Sequence, residues 1–324
     1  MPYAIFAGQP GGPEVLTRRD ITPPTPGPGE VCIAQNAIGL NFIDIYIRQG
    51  LYPWPAPTDL ILGSEGAGVI AALGEGVSGF QIGQRVAYTL PNGAYATHRV
   101  ISAAHVVALP DDISDEVAAA AMLKGLTAYY LMTNSYAAQP GDTVLVHAAA
   151  GAVGLILGQW LAARGVRAIG TAGGAEKCAL ATQRGYSHVI DYKSDDFVAR
   201  VKELTSGAGV QAVYDSVGHD TIMGSLECLA NFGTLVSFGQ SSGVPDQLRI
   251  AHLARGSLRL TRPSLFHHTA KRAWLEQSSQ AMFAAIRSGE IEMPISAKFP
   301  LDQAGQAHSA LAGRQTTGCT LLIP

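Results

Sequence analysis

Cysteine is scarce and scattered in this chain of 324 residues. The four cysteines stand far apart, with neither a CxxC pair nor the density of a disulfide framework, so we expect buried thiols in a reducing compartment. They are Cys32, Cys178, Cys228 and Cys319.

Long apolar segments are also missing. The most apolar stretch, residues 60–74, is interrupted by Glu65 and several glycines and is too short to span a bilayer. Residues 1–11 contain no basic segment followed by an apolar one, so no secretory signal is predicted. We therefore expect a cytoplasmic protein with no membrane partner.

Charge is low and nearly balanced, with 22 Lys and Arg against 25 Asp and Glu and a net charge of −3. This balance argues against a surface for nucleic acid or anionic membrane. The hydrophobic fraction of 47% over 324 residues is enough for a large core. We expect that core to be split between two domains with a binding cleft between them.

Turn signals separate short apolar runs over the first 125 residues, a pattern typical of a β-rich, barrel-like unit. From Gly141 the chain alternates strand, glycine and helix, which indicates an α/β unit with a doubly wound parallel sheet. The six predicted strands of this second unit are Val144–Ala148, Arg167–Thr171, His188–Asp191, Gln211–Asp215, Thr234–Phe238 and Leu258–Thr261.

The links between these strands predict helices, because apolar residues recur every three and four positions over residues 153–161 and the pattern repeats over 175–184, each followed by glycine. Another amphipathic stretch follows Pro263, and the apolar residues 321–323 are expected to form a strand that rejoins the first unit. The predicted domains are residues 1–125 together with 264–324, and residues 126–263.

A glycine-rich turn follows the first strand of the second unit. Ala148, Gly151 and Gly154 recur at three-residue intervals between a strand and a helix, which is a loosened form of a dinucleotide-binding fingerprint. Small residues there let the backbone approach a pyrophosphate, whose charge is met by amide groups at the start of the helix. Tight packing of helix on sheet is the structural alternative, and the five strands that follow favour the cofactor.

No acidic residue ends the second of these strands, where the ribose of NAD would require one. The chain reads instead Thr171-Ala-Gly173-Gly174-Ala-Glu-Lys177. An acid would repel a 2′-phosphate, whereas Lys177, with the Thr171 hydroxyl and the glycine amides, can hold it by charge-assisted hydrogen bonds. The segment predicts NADPH as the cofactor, against the alternative that Lys177 is an ordinary solvated lysine.

Several short motifs together resemble one family. They are Gly39-Leu-Asn41-Phe-Ile-Asp44-Ile-Tyr46, Leu51-Tyr52-Pro53, Lys124-Gly-Leu-Thr127, Val213-Tyr-Asp-Ser-Val-Gly218 and Thr261-Arg-Pro-Ser264. Nearly end to end, the chain resembles the bacterial quinone oxidoreductases, in the zeta-crystallin-like branch of the medium-chain dehydrogenase/reductase superfamily. The resemblance implies a GroES-like catalytic domain, a Rossmann domain for NADPH, and a homodimer joined through the Rossmann sheets.

The resemblance also implies which residues surround the reaction. Around the hydride and the quinone it places Asn41, Asp44, Tyr46 and Tyr52. The implied contacts of NADPH are Asn41, Phe42, Tyr46, Thr127, Tyr130, Gly151, Ala152, Val153, Thr171, Gly173, Gly174, Lys177, Tyr192, Ser216, Phe238, Gly239, Ser241 and Arg314. Ala152 departs from the family pattern, which commonly has a third glycine there; its methyl group is expected to tighten the approach to the pyrophosphate without abolishing it.

Zinc is not expected. Zinc alcohol dehydrogenases, which are cousins of this family, need a Cys in the first-domain loop and a His-Glu pair in the next glycine-rich segment. Here Asn41 stands in the loop and Ser64-Glu65 in the segment, and no four closely spaced cysteines provide a structural site. We therefore predict no metal.

The predicted reaction is direct hydride transfer from NADPH to a quinone or a related conjugated carbonyl compound, with the protein supplying alignment and a dry cleft. Tyr46, Tyr52 or the Asn41 amide is expected to donate a hydrogen bond to the developing oxyanion, unless these groups only position the nicotinamide or satisfy buried backbone groups. Two alternatives stay open. One is reduction of an enone or enoyl thioester, and the other is a non-catalytic, crystallin-like or RNA-binding protein that binds NADPH.

Overall fold

The computed structural model describes residues 1–54, 59–313 and 315–324. The chain divides into two compact units. Unit 1 comprises Met1–Leu126, Phe266–Ser288 and Met293–Pro324, and unit 2 comprises Thr127–Leu265 and Gly289–Glu292. The sequence predicts that residues 264–324 belong wholly to the first unit. Residues 289–292 group with unit 2, where the Gln159 side chain donates to Glu292 O at 3.1 Å and accepts from Glu292 N at 2.9 Å.

The strands of the described residues are β1 (Tyr3–Ala7), β2 (Leu16–Asp20), β3 (Glu30–Leu40), β4 (Leu60–Ile61), β5 (Glu65–Leu73), β6 (Arg85–Thr89), β7 (His98–Ser102), β8 (Val106–Ala108), β9 (Thr143–Val146), β10 (Arg167–Ala172), β11 (His188–Asp191), β12 (Val210–Asp215), β13 (Leu229–Ser237), β14 (Arg259–Thr261), β15 (Ile295–Pro300) and β16 (Cys319–Ile323). The α-helices of the same residues are α1 (Phe42–Arg48), α2 (Asp115–Tyr130), α3 (Ala152–Ala163), α4 (Ala175–Gln183), α5 (Phe197–Leu204), α6 (Ile222–Cys228), α7 (Leu265–Thr269), α8 (Arg272–Arg287) and α9 (Ala304–Ala312). Within that described part of the chain, none of these helices is long and apolar enough to cross a membrane.

Unit 1 is built mainly on antiparallel strands, and the turn-rich sequence predicts such a β-rich unit without giving the strand direction. One sheet has the order β15-β16-β3-β5-β6-β8, with β7 also paired to β3, and a smaller sheet has the order β2-β1-β4. The one parallel pair among them is β15 with β16, and β16 pairs antiparallel with β3. The C-terminal strand therefore rejoins the first unit as predicted. Fully buried Ile33, Ile38, Leu62 and Tyr95 belong to its core.

Unit 2 is a six-stranded parallel sheet in the order β11-β10-β9-β12-β13-β14. In chain order this is 3-2-1-4-5-6, the doubly wound arrangement of a Rossmann domain, so the predicted fold is confirmed. Strand β13 begins five residues earlier than the predicted Thr234, because Leu229 also pairs with Val210 beyond an irregularity in the register. Strand β12 is buried on both faces, as parallel strands covered by helices are.

Candidate active site

The loop after β3 positions Asn41 at the N-terminus of α1. Asn41 has an extended backbone, and the carboxylate of Asp44, three residues later, accepts a hydrogen bond from Asn41 N at 3.0 Å. This satisfies one of the donors that a helix start leaves unpaired and fixes where the helix begins. The predicted catalytic segment is therefore held in place by a hydrogen bond between two of its own residues.

The side chain of Asn41 is committed to neighbours in unit 1. Its Nδ2 donates to Glu65 Oε1 at 2.9 Å and to the carbonyl of Gly39 at 3.2 Å. An amide nitrogen carries two hydrogens, so both are engaged. Donation from Asn41 to an oxyanion would require one of these bonds to break, which favours a tyrosine hydroxyl as the donor.

A buried ion pair between Lys124 and Glu65 supports the hydrogen bond from Asn41 to Glu65. The ammonium of Lys124, 4% exposed, hydrogen bonds to Glu65 Oε1, and Leu123 N donates to Glu65 Oε2 at 2.5 Å. Burial lowers the pKa of Lys124, but the charge and hydrogen bond of Glu65, together with Cys319 and Asp44, outweigh burial and leave that pKa above its ordinary value. The Glu65 carboxylate is thus neutralised by a lysine that the motif Lys124-Gly-Leu-Thr127 supplies.

These residues do not make a zinc site. Zinc requires thiolate, imidazole or carboxylate donors in a tetrahedral set, whereas Asn41 offers an amide, Ser64 a hydroxyl, and Glu65 a carboxylate already bound to Lys124. Over residues 1–54, 59–313 and 315–324, no three His, Cys, Asp or Glu side chains come together to hold a metal ion.

Asp44 is buried inside unit 1 and is not exposed on the surface of the loop. The side chain is fully buried and also accepts from Ser64 Oγ at 2.8 Å and Tyr95 Oη at 3.1 Å. Burial raises the pKa of Asp44 to about 7, against the lowering effects of its hydrogen bonds and of Lys124. The resemblance placed Asp44 around the quinone; its burial and partners make it a positioning residue for Asn41.

A chain of hydrogen bonds links Asp44 to the far end of α1. Arg48 Nη1 lies 3.1 Å from His308 Nδ1, and His308 Nε2 lies 2.8 Å from Tyr95 Oη. Arginine only donates, so Nδ1 accepts, the neutral ring donates from Nε2 to Tyr95, and Tyr95 donates to Asp44. Burial first and Arg48 second lower the pKa of His308 to about 3. Sequence reasoning missed His308, which lies 213 residues from Tyr95 along the chain.

Three aromatic rings cluster on and just beyond α1. The ring of Tyr46 lies 6.0 Å from that of Phe42 and 5.4 Å from that of Tyr52. The backbone of Tyr52 donates to Tyr46 O at 3.3 Å, which ties the turn after α1 to the helix. Tyr46 is buried and Tyr52 half-buried, so Tyr52 is the more accessible of the two residues.

In unit 2, the small residues of the turn after β9 allow close packing of α3 and leave backbone amides for a pyrophosphate. Ala148 has a left-handed backbone with φ 53°, and Gly151 starts α3 without a side-chain cap. The first N–H groups of α3, those of Ala152 and Val153, therefore point out of the N-terminal end of the helix. A β-carbon on Gly154 would lie 2.4 Å from Ala148 O, so only glycine lets α3 start so close to the turn. The packing explanation applies to Gly154, and the open amide end fits a pyrophosphate.

Thr171 contributes to the interior of unit 2. It is 2% exposed, and its Oγ1 lies 2.9 Å from His147 Nδ1. His147 Nε2 lies 3.0 Å from Ser225 Oγ, which in turn donates to Asp215 Oδ2 at 2.8 Å. Burial lowers the pKa of His147 despite the nearby Asp215 charge. The Thr171 hydroxyl is used in this buried network and is not brought together with the exposed part of the Gly173–Lys177 segment.

The remaining residues of that segment do surround an open surface. A β-carbon on Gly173 would come within 2.5 Å of Tyr192 Oη, so the tyrosine hydroxyl lies directly over this glycine. Gly174 has φ 95°, which L side chains rarely adopt, and it starts α4, where Lys177 is the third residue. Tyr192 is 45% exposed. The structure therefore brings Gly173, Gly174 and Tyr192 together beside the start of the helix that carries Lys177.

The ends of β12 and β13 are packed against each other at the same edge of the sheet. Ser216 O accepts from Ser241 N at 3.2 Å, and a β-carbon on Gly239 would approach Ser216 O to 2.6 Å. Arg262, which sequence reasoning did not single out within its motif, donates to Gly239 O at 2.8 Å and to Gln240 Oε1 at 3.1 Å. Arg262 therefore positions the segment that contains Phe238, Gly239 and Ser241.

The other predicted cofactor residues lie in different surroundings. Thr127 and Tyr130 are buried at the end of α2, with 7% and 3% of their surfaces exposed. Arg314 lies outside the described residues, so its predicted contact stays a prediction.

Two family models match this chain, one within unit 1 and one mostly within unit 2. The family model described as "Alcohol dehydrogenase GroES-like domain" matches residues 27–111, and the one described as "Zinc-binding dehydrogenase" matches residues 152–279. The amide of Asn41 and the carboxylate of Glu65, which is paired with Lys124, do not fit the zinc named in the second description.

Curated relatives and solved structures cover almost the whole chain. A quinone oxidoreductase of Pseudomonas aeruginosa is 48% identical over 317 residues, 97% of each chain, and a 2-haloacrylate reductase of a Burkholderia species is 39% identical over 100% of this chain and 99% of its own. The crystal structure of an Escherichia coli quinone oxidoreductase complexed with NADPH is 44% identical, has a TM-score of 0.97, and matches over 99% of this chain and 100% of its own. The resemblance inferred from short motifs is confirmed. This chain belongs to the quinone oxidoreductase family of the medium-chain dehydrogenase/reductase superfamily.

Proposed function

We propose that this chain is a zinc-independent NADPH:quinone oxidoreductase that transfers hydride from NADPH to a quinone or a related conjugated carbonyl compound. The main support for the proposal is the arrangement of residues that follows the end of β10. Gly174 leaves space beside Tyr192, which lies over Gly173, and α4 starts there with Lys177 in its first turn. A phosphate on the adenosine ribose matches this combination of space, amides and positive charge.

The cofactor would supply the hydride, and the residues of the chain hold and orient it. The amide end of α3 after Gly151 suits the pyrophosphate, and the segments around Ser216 and Gly239 lie at the same carboxyl edge of the sheet. The Arg262 hydrogen bonds keep the second of these segments in place. Binding thus depends on backbone geometry as much as on individual side chains.

The loop of Asn41 and the aromatic cluster of α1 would act on the quinone. As hydride reaches the ring, negative charge develops on a carbonyl oxygen, and a hydroxyl donor stabilises it. We assign this donation to Tyr52, because the Asn41 Nδ2 hydrogens are engaged with Glu65 and Gly39. Asn41 and Asp44 keep α1 and its tyrosines in position.

Reduction of a carbon–carbon double bond is the second candidate. Its support is the 39% identity with the 2-haloacrylate reductase of Burkholderia, whose name describes reduction of a conjugated acid. Hydride delivery beside a hydroxyl donor serves both reactions, so the preferred acceptor decides between them.

A panel of acceptors tests the proposed function. With NADPH in excess, 1,4-benzoquinone is expected to give a kcat/KM at least tenfold above those of 2-chloroacrylate, an enone and an enoyl thioester. NADPH should be preferred to NADH by about one to two decades, since charged hydrogen bonds contribute about 1.5–3 kcal/mol. A metal chelator should leave the rate unchanged. Faster turnover of 2-chloroacrylate would favour the second candidate, and NADPH binding without any turnover would favour a non-catalytic role.

We also propose that the protein is a cytoplasmic homodimer joined through the sheets of unit 2. All four cysteines are free, which suits a reducing compartment. Strand β14 pairs with β13 on one side and ends the sheet within the described residues. Leu260 on β14 is 40% exposed, and Phe232 and Ile250 in the same unit are 64% and 88% exposed. An exposed edge strand that carries an apolar residue is a template for pairing with a second copy.

The replacement Leu260→Asp is expected to convert the dimer to a monomer, because it puts a charge on the pairing edge. Light scattering after gel filtration should give twice the chain mass of 33.8 kDa for the wild type and the single mass for the variant. Ile82→Asp, at a residue that is 68% exposed in unit 1, is the control and should stay dimeric. A monomeric wild type, or a dimeric Leu260→Asp protein, would contradict this interface.

A further inference from the structure

Asp191 ties together the two loops that follow β10 and β11. Its Oδ1 accepts a hydrogen bond from Gly174 N at 2.9 Å and another from Lys193 N at 3.0 Å. These amide hydrogen bonds, with the nearby Lys193 ammonium, hold the pKa of Asp191 below its ordinary value. One ionised oxygen therefore connects the glycine turn before α4 to the chain beyond Tyr192.

This connection brings a second lysine to the glycine turn. The Nζ of Lys193 lies 4.0 Å from the point that a β-carbon on Gly174 would occupy, and the Lys193 side chain is exposed. Tyr192 Oη lies over Gly173 on the adjacent position. The space over Gly174 is thus bordered by Tyr192 and Lys193 from one loop, and Lys177 stands in the first turn of the helix that follows the other.

We infer that Lys193 is a second cation for the 2′-phosphate of NADPH and that Asp191 is the residue that positions it. This inference rests on the proposed function and names a cofactor-specificity residue that sequence reasoning did not identify. The missed signal was the pair Asp191 and Lys193 on either side of Tyr192, which has meaning only once β10 and β11 are neighbours in the sheet.

The charges of the loop allow a rival role for Lys193. Asp191 is itself negative and would repel a phosphate, so Lys193 could serve only to neutralise it. The two roles differ in what they predict for the two cofactors. If Lys193 binds the phosphate, its replacement weakens the affinity for NADPH and leaves the affinity for NADH unchanged. If Lys193 only balances Asp191, its replacement changes both affinities to the same small extent.

Titration calorimetry with NADPH, NADH and 2′,5′-ADP tests the lysine. Lys193→Gln is expected to weaken NADPH and 2′,5′-ADP about five- to tenfold, the effect of a charged hydrogen bond reduced by solvent exposure. NADH affinity should change less than twofold. Lys193→Arg should bind NADPH about as tightly as the wild type, because it keeps the positive charge. Lys202→Gln, at an exposed lysine paired with Glu227, is the control and should change none of the three affinities.

Two replacements of Asp191 separate positioning from charge. Asn keeps an oxygen that can accept from both amides and removes the negative charge, so Asp191→Asn should bind NADPH as tightly as the wild type or more tightly. Ala removes the connection as well, and Asp191→Ala should bind NADPH more weakly even though a repelling charge is gone. Tighter binding by the Ala variant would overturn the positioning role.

The results also distinguish the inference from the function on which it rests. A wild-type protein that prefers NADPH, combined with a Lys193→Gln variant that keeps the same NADPH to NADH ratio, overturns the role of Lys193 and leaves the proposed function standing. A wild-type protein that binds neither dinucleotide, or both equally, overturns the two together.

Discussion

The replacement Tyr52→Phe is expected to lower kcat for quinone reduction by roughly 10²–10³-fold, because it removes one hydrogen-bond donor to the developing oxyanion, a loss of about 2.7–4 kcal/mol. The KM for NADPH should change little, since the donor acts on charge that exists only in the transition state. Steady-state kinetics with 1,4-benzoquinone, together with NADPH titration, measure both quantities.

Two further variants make this result specific. Tyr3→Phe removes a hydroxyl elsewhere in unit 1, where the ring packs under Arg18 at 4.0 Å, and should leave kcat unchanged. Tyr46→Phe should have a smaller effect than Tyr52→Phe, because Tyr46 is buried between Phe42 and Tyr52. Unchanged turnover in Tyr52→Phe would remove its donor role, and a large loss in Tyr46→Phe alone would move that role to Tyr46.

The replacement Lys124→Met is expected to destabilise the protein by about 3–5 kcal/mol, because it leaves the fully buried carboxylate of Glu65 without its counter-charge. Urea denaturation at neutral pH measures the change. The second replacement Glu65→Gln in the same chain should recover more than half of the loss. It removes the unpaired charge and keeps one oxygen that can accept the hydrogen bond from Leu123 N, whereas its amide nitrogen cannot accept from Asn41 Nδ2.

The surface ion pair of Lys298 with Glu116 provides a matched control. Its side chains are 51% and 41% exposed, so Lys298→Met should cost less than about 1 kcal/mol. Equal losses from Lys124→Met and Lys298→Met would contradict the assignment of Lys124 as a buried counter-charge.

Unit 2 was predictable because its pattern is local. A parallel strand covered by helices on both faces is an apolar run of four to six residues, and the following helix shows a period of three to four. These features lie within about 30 residues of each other, as do the glycines of the turn after β9 and the absence of an acid after β10. The fold and the location of the cofactor segment therefore follow from neighbours in the sequence.

Individual contacts were harder to predict, because a residue type does not say which way a side chain faces. Thr171 has the right chemistry for a phosphate, but its hydroxyl is buried against His147. Asn41 has the right chemistry for an oxyanion donor, but Glu65 and Gly39 accept from both of its hydrogens. In both cases, packing within a unit decided the role.

The sequence by itself determined the two fold types, the family, the glycine turn and the segment that favours a 2′-phosphate, since each depends on short-range spacing or on the presence of a residue type. Only the tertiary structure decided that Lys124 neutralises Glu65, that His308 and Tyr95 hold Asp44, and that Asp191 brings Lys193 to Gly174. The partners in these contacts lie 17 to 213 residues apart, except where Asp191 holds Lys193, and buried charges and donors must find partners wherever the packed strands and helices place them.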